Sequence, residues 1–128
     1  MKKVIETRNA PAPVGPYSQA IQIGNLLFVS GQIALDPQTG SLVQESIQVE
    51  THQVLKNLQA ILKEAGAQLR DVVKCSVFVK DMHQYQAINA IYAEYFDEAT
   101  APARELVEVA NLPKFVNVEI SAIASIPT

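Results

Sequence analysis

The chain has 128 residues and a formal net charge of −3, and 48% of its residues are hydrophobic while 18% are charged. This apolar content excludes a disordered chain, and we expect residues 1–128 to fold as a single domain. The acidic balance, without a lysine or arginine cluster larger than Lys2-Lys3, disfavours nucleic acid as a partner, and the single cysteine excludes an intrachain disulfide.

The N-terminal region has the features of neither a signal peptide nor a membrane helix. Residues 1–11 include two lysines but no apolar stretch, and no apolar run in the chain approaches the roughly 20 residues that span a bilayer. We therefore expect a cytoplasmic protein with no membrane contact. The proline-rich residues 9–18 predict an extended, irregular segment that Val14 and Tyr17 hold against the body.

A β-hairpin is predicted over residues 20–35, because two strand-like runs flank Gly24-Asn25, a common two-residue turn. A second turn over residues 36–40 then leads to a short strand near residues 42–43.

Two helices are predicted where hydrophobic residues recur at i, i+3, i+4 and i+7. The first covers residues 46–65, and a strand over residues 71–81 follows it. The inward positions of that strand are Val73, Cys75, Val77 and Val79. Asp81 begins the second helix, with Gln84 three positions on as in a capping box, and this helix reaches Phe96. Its inward residues are Tyr85, Ile88, Tyr92 and Tyr95.

The C-terminal part predicts two strands joined by a turn over residues 111–114. The first of these strands contains Arg104, and the second covers residues 115–124. In the second strand the inward residues are Val116, Val118, Ile120, Ala122 and Ala124. The complete order predicts an α+β fold, a mixed sheet of about six strands with two helices on one face.

The sheet face without helices, the helix-free face, mixes apolar and polar side chains. Among its predicted residues are Phe28, Val72, Ser76, Glu119 and Ile123. Such a face is too apolar to stay wholly exposed and too polar for the core of a monomer, so we expect self-association through it. The alternative is a monomer whose helix-free face, with its mixed polar and apolar side chains, is exposed to solvent.

Arg104 and Glu119 are the candidate functional pair. By strand alternation both side chains lie on the helix-free face, and a hairpin through residues 111–114 makes them diagonal neighbours about 7–8 Å apart. An arginine can hold a carboxylate through two parallel hydrogen bonds, and a nearby carboxyl group can orient a water molecule or carry a proton. The same pair fits an intersubunit salt bridge, and the residue types leave both interpretations open.

The other reactive side chains lack partners at motif spacing. His52 and His83 are typical of surface histidines, and Cys75 is typical of a buried, inert thiol. Ser30-Gly31 ends a strand and fits either a backbone donor site or a close packing contact. We expect no metal site and no phosphate-binding loop.

Five segments carry a family resemblance when they are taken in order: NAPAPVGPYSQA, FVSGQI, VVKCSVFVKDM, APAR and VEVANLPKFVNVEISAIA. With these segments the chain resembles the RidA/YjgF family of reactive-intermediate (enamine/imine) deaminases over nearly its whole length. The resemblance implies a chorismate-mutase-like α+β fold, assembled as a homotrimer whose sheets form a central barrel. It also implies clefts between subunits that bind small carboxylates, with no metal and no organic cofactor.

The resemblance assigns roles to individual residues. Arg104 matches the arginine that binds the substrate carboxylate, and Glu119 matches the residue that positions the hydrolytic water. Further pocket-lining positions fall on Tyr17, Ser30, Gly31, Asn89 and Leu106. The implied activity is that of a 2-iminobutanoate/2-iminopropanoate deaminase, which hydrolyses 2-aminoacrylate, 2-aminocrotonate and their imines to 2-keto acids and ammonia.

The chain departs from the family pattern directly after the arginine. Family members commonly carry a serine or threonine and then a cysteine, where this chain has Glu105 and Leu106. Alternation points Glu105 away from Arg104, and Leu106 supplies the same backbone carbonyl as cysteine with a bulkier side chain.

Two other functions stay open. One is a non-catalytic, small-carboxylate-binding regulatory trimer. The other is a ribonuclease or translation inhibitor, against which the acidic balance counts.

Overall fold

The computed structural model describes residues 1–127, which form one six-stranded mixed sheet and two α-helices. In chain order the elements are β1 (Lys3–Ile5), β2 (Ala20–Ile23), β3 (Leu26–Gln32), α1 (Ile47–Glu64), β4 (Val72–Val79), α2 (Tyr85–Tyr95), β5 (Ala103–Glu108) and β6 (Val118–Ser125). The strand order across the sheet is β1-β2-β3-β6-β4-β5, and only the β4–β5 pair is parallel. The predicted α+β class, with six strands and two helices, is confirmed.

The first helix forms where the sequence predicts it. The Ser46 hydroxyl caps its N-terminus by accepting a hydrogen bond from the Val49 N–H at 3.1 Å. After the helix Gly66 adopts a φ of +81°, the left-handed conformation that commonly ends a helix. The helix buries an apolar stripe against the sheet, made of Val54, Leu55, Leu58, Ile61 and Leu62.

The second helix begins later than predicted. The Asp81 carboxylate accepts a hydrogen bond from the His83 N–H at 2.9 Å, but this caps a single 3₁₀ turn, and Gln84 forms no capping box. Ile88 and Tyr92 are buried as predicted, whereas Tyr85 is 38% exposed. The prediction that Tyr85 packs in the core is therefore wrong, because its hydroxyl group instead contacts Arg104.

A bulge in β4 reverses two predicted side-chain directions. The pairing of β4 with β6 shifts register between Val72 and Lys74. As a result Val72 is buried and Val73 is 46% exposed, the opposite of the prediction from regular alternation. From Cys75 onward the inward positions are those predicted.

The last strand begins three residues later than predicted, at Val118. Lys114 and Phe115 before it have φ values of +54° and +56°, a left-handed turn that a continuous strand could not contain. The predicted short strand near residues 42–43 is a single bridge between Leu35 and Leu42, and the sixth strand is instead β1 at the edge of the sheet.

The sheet topology overturns the assumed hairpin between the last two strands. β5 pairs in parallel with β4, as expected for two strands connected by α2, and β6 lies antiparallel between β3 and β4. Because β4 separates β5 from β6, Arg104 on β5 and Glu119 on β6 are not diagonal neighbours.

Candidate functional site

Arg104 points toward the helices, not toward the helix-free face. Its register partner on β4 is Cys75, a buried residue of the core, and paired residues share a face. Its guanidinium Nη1 donates a hydrogen bond to Asn89 Oδ1 at 2.8 Å, and Nη2 donates one to the Tyr85 hydroxyl at 3.3 Å. The predicted helix-free position of Arg104 is therefore wrong, whereas Asn89, one of the pocket-lining positions implied by the resemblance, is in direct contact with Arg104.

An aromatic ring completes the surroundings of the guanidinium. Arg104 Cζ lies 4.7 Å from the centroid of the Tyr92 ring, within the range of a cation–π contact. Tyr85, Asn89 and Tyr92, which we call the arginine seat, follow one another at i, i+4 and i+7 on α2 and so share one helix face. The sequence analysis missed this role, although the spacing of the three residues carried a signal for it.

The thiol of Cys75, below the arginine seat, is buried. Burial raises the pKa of Cys75, with the Tyr92 hydroxyl and the Arg104 charge acting in the opposite direction. Burial also raises the pKa of Tyr92. Both groups therefore stay protonated at neutral pH, and Cys75 is buried as the sequence predicts.

Glu119 belongs to a separate cavity of about 110 Å³ on the other face of the sheet. Its neighbours Val118 and Ile120 are buried toward the helices, so alternation directs Glu119 to the helix-free face, as predicted. The residues that line this glutamate cavity include Tyr17, Gly31, Gln32, Pro113 and Lys114. Burial raises the pKa of the half-buried Glu119 carboxyl group above its ordinary value.

Replacing Glu119 with glutamine should stabilise the protein at neutral pH but not in acid. A carboxyl group whose pKa is raised by burial favours the folded state while it is protonated, and this contribution is lost as the pH rises through the raised pKa. The free energy of unfolding of Glu119→Gln relative to wild type should therefore increase from about pH 4 upward and then level off. Denaturant titrations between pH 4 and 7 at one protein concentration measure this, with Glu64→Gln on the exposed face of α1 as the control. A difference that shrinks with rising pH would contradict the assignment.

Gly31 makes room for the Glu119 carboxylate. It lies in an irregular stretch of β3, where the pairing with β6 shifts between Val29 and Gln32. A Cβ atom on Gly31 would come within 2.4 Å of Glu119 Oε2 and 2.8 Å of Glu119 Cδ. Ser30 beside it donates its hydroxyl to the Ser18 carbonyl at 2.6 Å. Of the two interpretations of Ser30-Gly31, the close packing contact is the one present within a single chain.

Gly31→Ala should displace the Glu119 carboxylate without unfolding the protein. Gly31 does not require a left-handed φ, and the atoms in the way are the mobile end of a side chain, so we expect a change in unfolding free energy within about 1 kcal/mol. On the expectation that Glu119 is the residue that positions the hydrolytic water, its displacement should lower kcat by roughly 10- to 100-fold. Steady-state kinetics and denaturant titration measure the two effects separately. In a Glu119→Ala background the added Gly31→Ala change should cause no further loss, and an additive loss would show that Gly31 acts otherwise.

The two charged groups cannot meet within one chain. Arg104 and Glu119 project from opposite faces of the sheet and lie on strands separated by β4. Their Cα atoms are about 10 Å apart across the strands and about 10 Å along them, given the registers of Cys75 with Arg104 and with Ala122. The chain therefore carries two separate groups of candidate residues, the arginine seat and the glutamate cavity.

The unusual Glu105 stands apart from the arginine. It lies on the helix-free face, where Lys74 Nζ is 3.2 Å from its Oε1 and the Ser76 hydroxyl donates a hydrogen bond to its Oε2. These two contacts, that with Ser76 foremost, lower the pKa of Glu105. Leu106 lies on the arginine side of the sheet, half-buried against the core. Glu105 thus points away from Arg104 as predicted. Of the two unusual residues, only Leu106 lies on the same face of the sheet as Arg104.

Each of the two histidines contacts a neighbouring polar side chain. His52 Nδ1 lies 3.0 Å from the Tyr95 hydroxyl, and His83 Nδ1 lies 2.9 Å from the carboxylate of Asp81. Among residues 1–127 no group of three histidine, cysteine or acidic side chains lies close enough to hold a metal ion. Within the same residues neither helix has the length and hydropathy needed to cross a bilayer.

Comparisons with known proteins identify relatives over nearly the whole chain. The family model described as Endoribonuclease L-PSP matches residues 7–126. A RutC family protein of Synechocystis is 58% identical over 127 residues, covering 98% of both chains. The 2-iminobutanoate/2-iminopropanoate deaminase of Salmonella typhimurium is 48% identical over 126 residues, covering 97% of this chain and 98% of that one. The crystal structure of E. coli TdcF with bound serine superposes with a TM-score of 0.92 at 42% identity, covering 98% of this chain and 99% of that one.

Proposed function

The chain belongs to the RidA/YjgF family, and on that premise we propose that it is a hydrolytic deaminase of small enamine and imine carboxylates. The substrates are 2-aminoacrylate, 2-aminocrotonate and their imine tautomers, and the products are a 2-keto acid and ammonia. The single observation that carries the proposal is the guanidinium of Arg104, which α2 holds in place while N–H donors remain for a carboxylate. The Salmonella relative named for this reaction supports the choice of substrate class.

The reaction requires little beyond orientation. Arg104 binds the substrate carboxylate, and Glu119 orients a water molecule whose oxygen attacks the imine carbon as a proton moves toward nitrogen. The resulting carbinolamine collapses, breaking the carbon–nitrogen bond and releasing ammonia and the keto acid. Burial raises the pKa of the Glu119 carboxyl group toward neutral pH, which favours accepting and returning a proton. These steps need no metal and no organic cofactor.

We propose that each complete site forms between two subunits of a homotrimer. One subunit contributes the arginine seat with Arg104, and its neighbour contributes the glutamate cavity with Tyr17, Gly31 and Glu119. The placement of these groups on opposite faces of one chain supports this arrangement. The exposed apolar residues of the helix-free face, among them Phe28 and Val107 at 43% and 41% exposure, support association through that face.

A coupled dehydratase assay tests the proposal. A pyridoxal-phosphate-dependent threonine or serine dehydratase generates the imine in the cuvette, and the release of keto acid and ammonia is followed with and without this protein. We expect the protein to accelerate hydrolysis in proportion to its concentration. Release equal to that in the buffer blank would contradict deaminase activity.

Endoribonuclease activity is a second candidate, because the matching family model carries that description. The net charge of −3 argues against it, since RNA binding draws most of its affinity from cationic contacts to phosphate. RNA cleavage at low salt that Arg104→Ala abolishes would select this function. Carboxylate binding without turnover, together with a partner protein that depends on the ligand, would instead select a regulatory trimer.

A further inference from the structure

We propose that Tyr85 is a positioning residue for Arg104, whose hydroxyl group fixes the orientation in which the guanidinium meets a carboxylate ligand. This inference rests on the proposed function, because it concerns the same arginine. It goes further by naming a side chain that acts on the ligand through Arg104. Tyr85 is also the residue that the periodicity of α2 wrongly directs into the core.

The contacts around Arg104 divide the task among three side chains. The Tyr92 ring lies 4.7 Å from the guanidinium carbon and limits its approach to the sheet. Asn89 Oδ1 accepts from Nη1, while the Tyr85 hydroxyl accepts from Nη2. A planar group held at one nitrogen only can still swing about that contact, whereas contacts at both Nη1 and Nη2 fix its plane. Tyr85 therefore supplies the second point that Asn89 alone cannot supply.

The donors left over are the ones a carboxylate needs. A guanidinium has five N–H groups, and among residues 1–127 the side chains of Asn89 and Tyr85 accept two of them. The three others are available for bidentate binding of a carboxylate, which requires a fixed planar fork. Tyr85 is 38% exposed and its hydrogen bond to Arg104 is exposed to solvent, so a ligand can approach the guanidinium from that side.

The expected consequence is a change in substrate binding more than in the chemical step. The carboxylate stays bound to Arg104 in both the ground state and the transition state, so weaker positioning should raise KM and leave kcat nearly unchanged. Loss of a single hydrogen bond to a partly exposed group corresponds to about a 3- to 10-fold weaker interaction. The pH dependence of kcat should not change, because Tyr85 takes no part in proton transfer.

Tyr85→Phe is the decisive variant, because it removes the hydroxyl and keeps the ring, whose centroid lies 5.9 Å from Arg104 Cζ. Tyr95→Phe is the matched control. It removes a hydroxyl group on the same helix, but this hydroxyl contacts His52 and not Arg104. KM and kcat are measured for the imine in the coupled assay. The dissociation constant of the product 2-oxobutanoate is measured by calorimetry, and the rotation of the Arg104 Nη groups is followed by ¹⁵N NMR.

For Tyr85→Phe we expect KM and the 2-oxobutanoate dissociation constant to rise about 3- to 10-fold, with faster Nη rotation and kcat within about twofold of wild type. Tyr95→Phe should match wild type in all these values. Unchanged ligand binding and unchanged rotation in Tyr85→Phe would overturn the inference, as would a fall in kcat alone. If wild type binds 2-oxobutanoate in a Tyr85-dependent way without turning over imine, the deaminase proposal fails and the positioning role stands. If it binds no carboxylate, both fail.

Discussion

Arg104→Ala should lower kcat/KM for imine hydrolysis by roughly 10²- to 10³-fold, because a charged, bidentate partner of the substrate carboxylate is lost. Arg104→Lys should lose roughly 10- to 100-fold, since lysine keeps the positive charge but lacks the planar fork. Lysine also cannot reach Asn89 and Tyr85 with two fixed nitrogens, as Arg104 does at 2.8 and 3.3 Å. The coupled dehydratase assay measures both variants.

Folding and assembly must be separated from catalysis in this experiment. The Arg104 guanidinium lies over the Tyr92 ring, so its removal exposes part of that ring, and we expect a modest loss of stability with the oligomer intact. Light scattering and thermal unfolding check both points. Arg70→Lys, in the exposed turn before β4, is the matched arginine control and should keep full activity. An Arg104→Lys variant with wild-type kcat/KM would contradict bidentate binding of a carboxylate.

Local patterns in the sequence predicted the elements well, because short-range rules determine them. The apolar stripe of α1, predicted within residues 46–65, depends on neighbours within a few residues. The hairpin across Gly24-Asn25 is local in the same sense. The inward alternation of β6 was also predicted correctly, because its two faces differ in polarity, with Ile120 on one and Glu119 on the other.

Strand pairing and the direction of Arg104 depend on distant parts of the chain. In β5 both faces carry an apolar residue, Leu106 toward the helices and Val107 toward the helix-free face, so alternation alone does not identify the buried side. Treating Val107 as the core residue of β5 places Arg104 on the wrong face. Only the parallel register with Cys75 resolves the direction, and that register requires knowing that β6 lies on the other side of β4.

Placing Arg104 on the wrong face also concealed its separation from Glu119. A salt bridge or shared ligand between Arg104 and Glu119 within one chain follows from a hairpin that the sheet does not contain. Once the two residues lie on opposite faces, a site that uses both requires a second subunit. The motif-bearing segments nominate Arg104 and Glu119, and the sheet order adds that a site using both needs two chains.

Mixing two inactive variants should therefore restore activity. In the proposed trimer each site takes Arg104 from one subunit and Glu119 from its neighbour, so a complete site forms where an Arg104→Ala chain supplies the glutamate and a Glu119→Gln chain supplies the arginine. The two variants are unfolded, mixed in equal amounts and refolded. With random assembly, the probability is one half that the first chain of an interface has an intact Arg104, and one half that its neighbour has an intact Glu119. About one quarter of the wild-type sites should then be intact.

The measurement is specific activity in the coupled assay before and after refolding the mixture. Each variant refolded alone should stay inactive, and the two trimers mixed without unfolding should gain activity only as fast as their subunits exchange. Recovery to about one quarter of wild type would require that the arginine seat and the glutamate cavity of different chains meet. A refolded mixture that forms normal oligomers but shows no recovery would contradict the intersubunit site. In that case Arg104 or Glu119 would have to act without the other, because the opposite faces of the sheet prevent them from meeting within one chain.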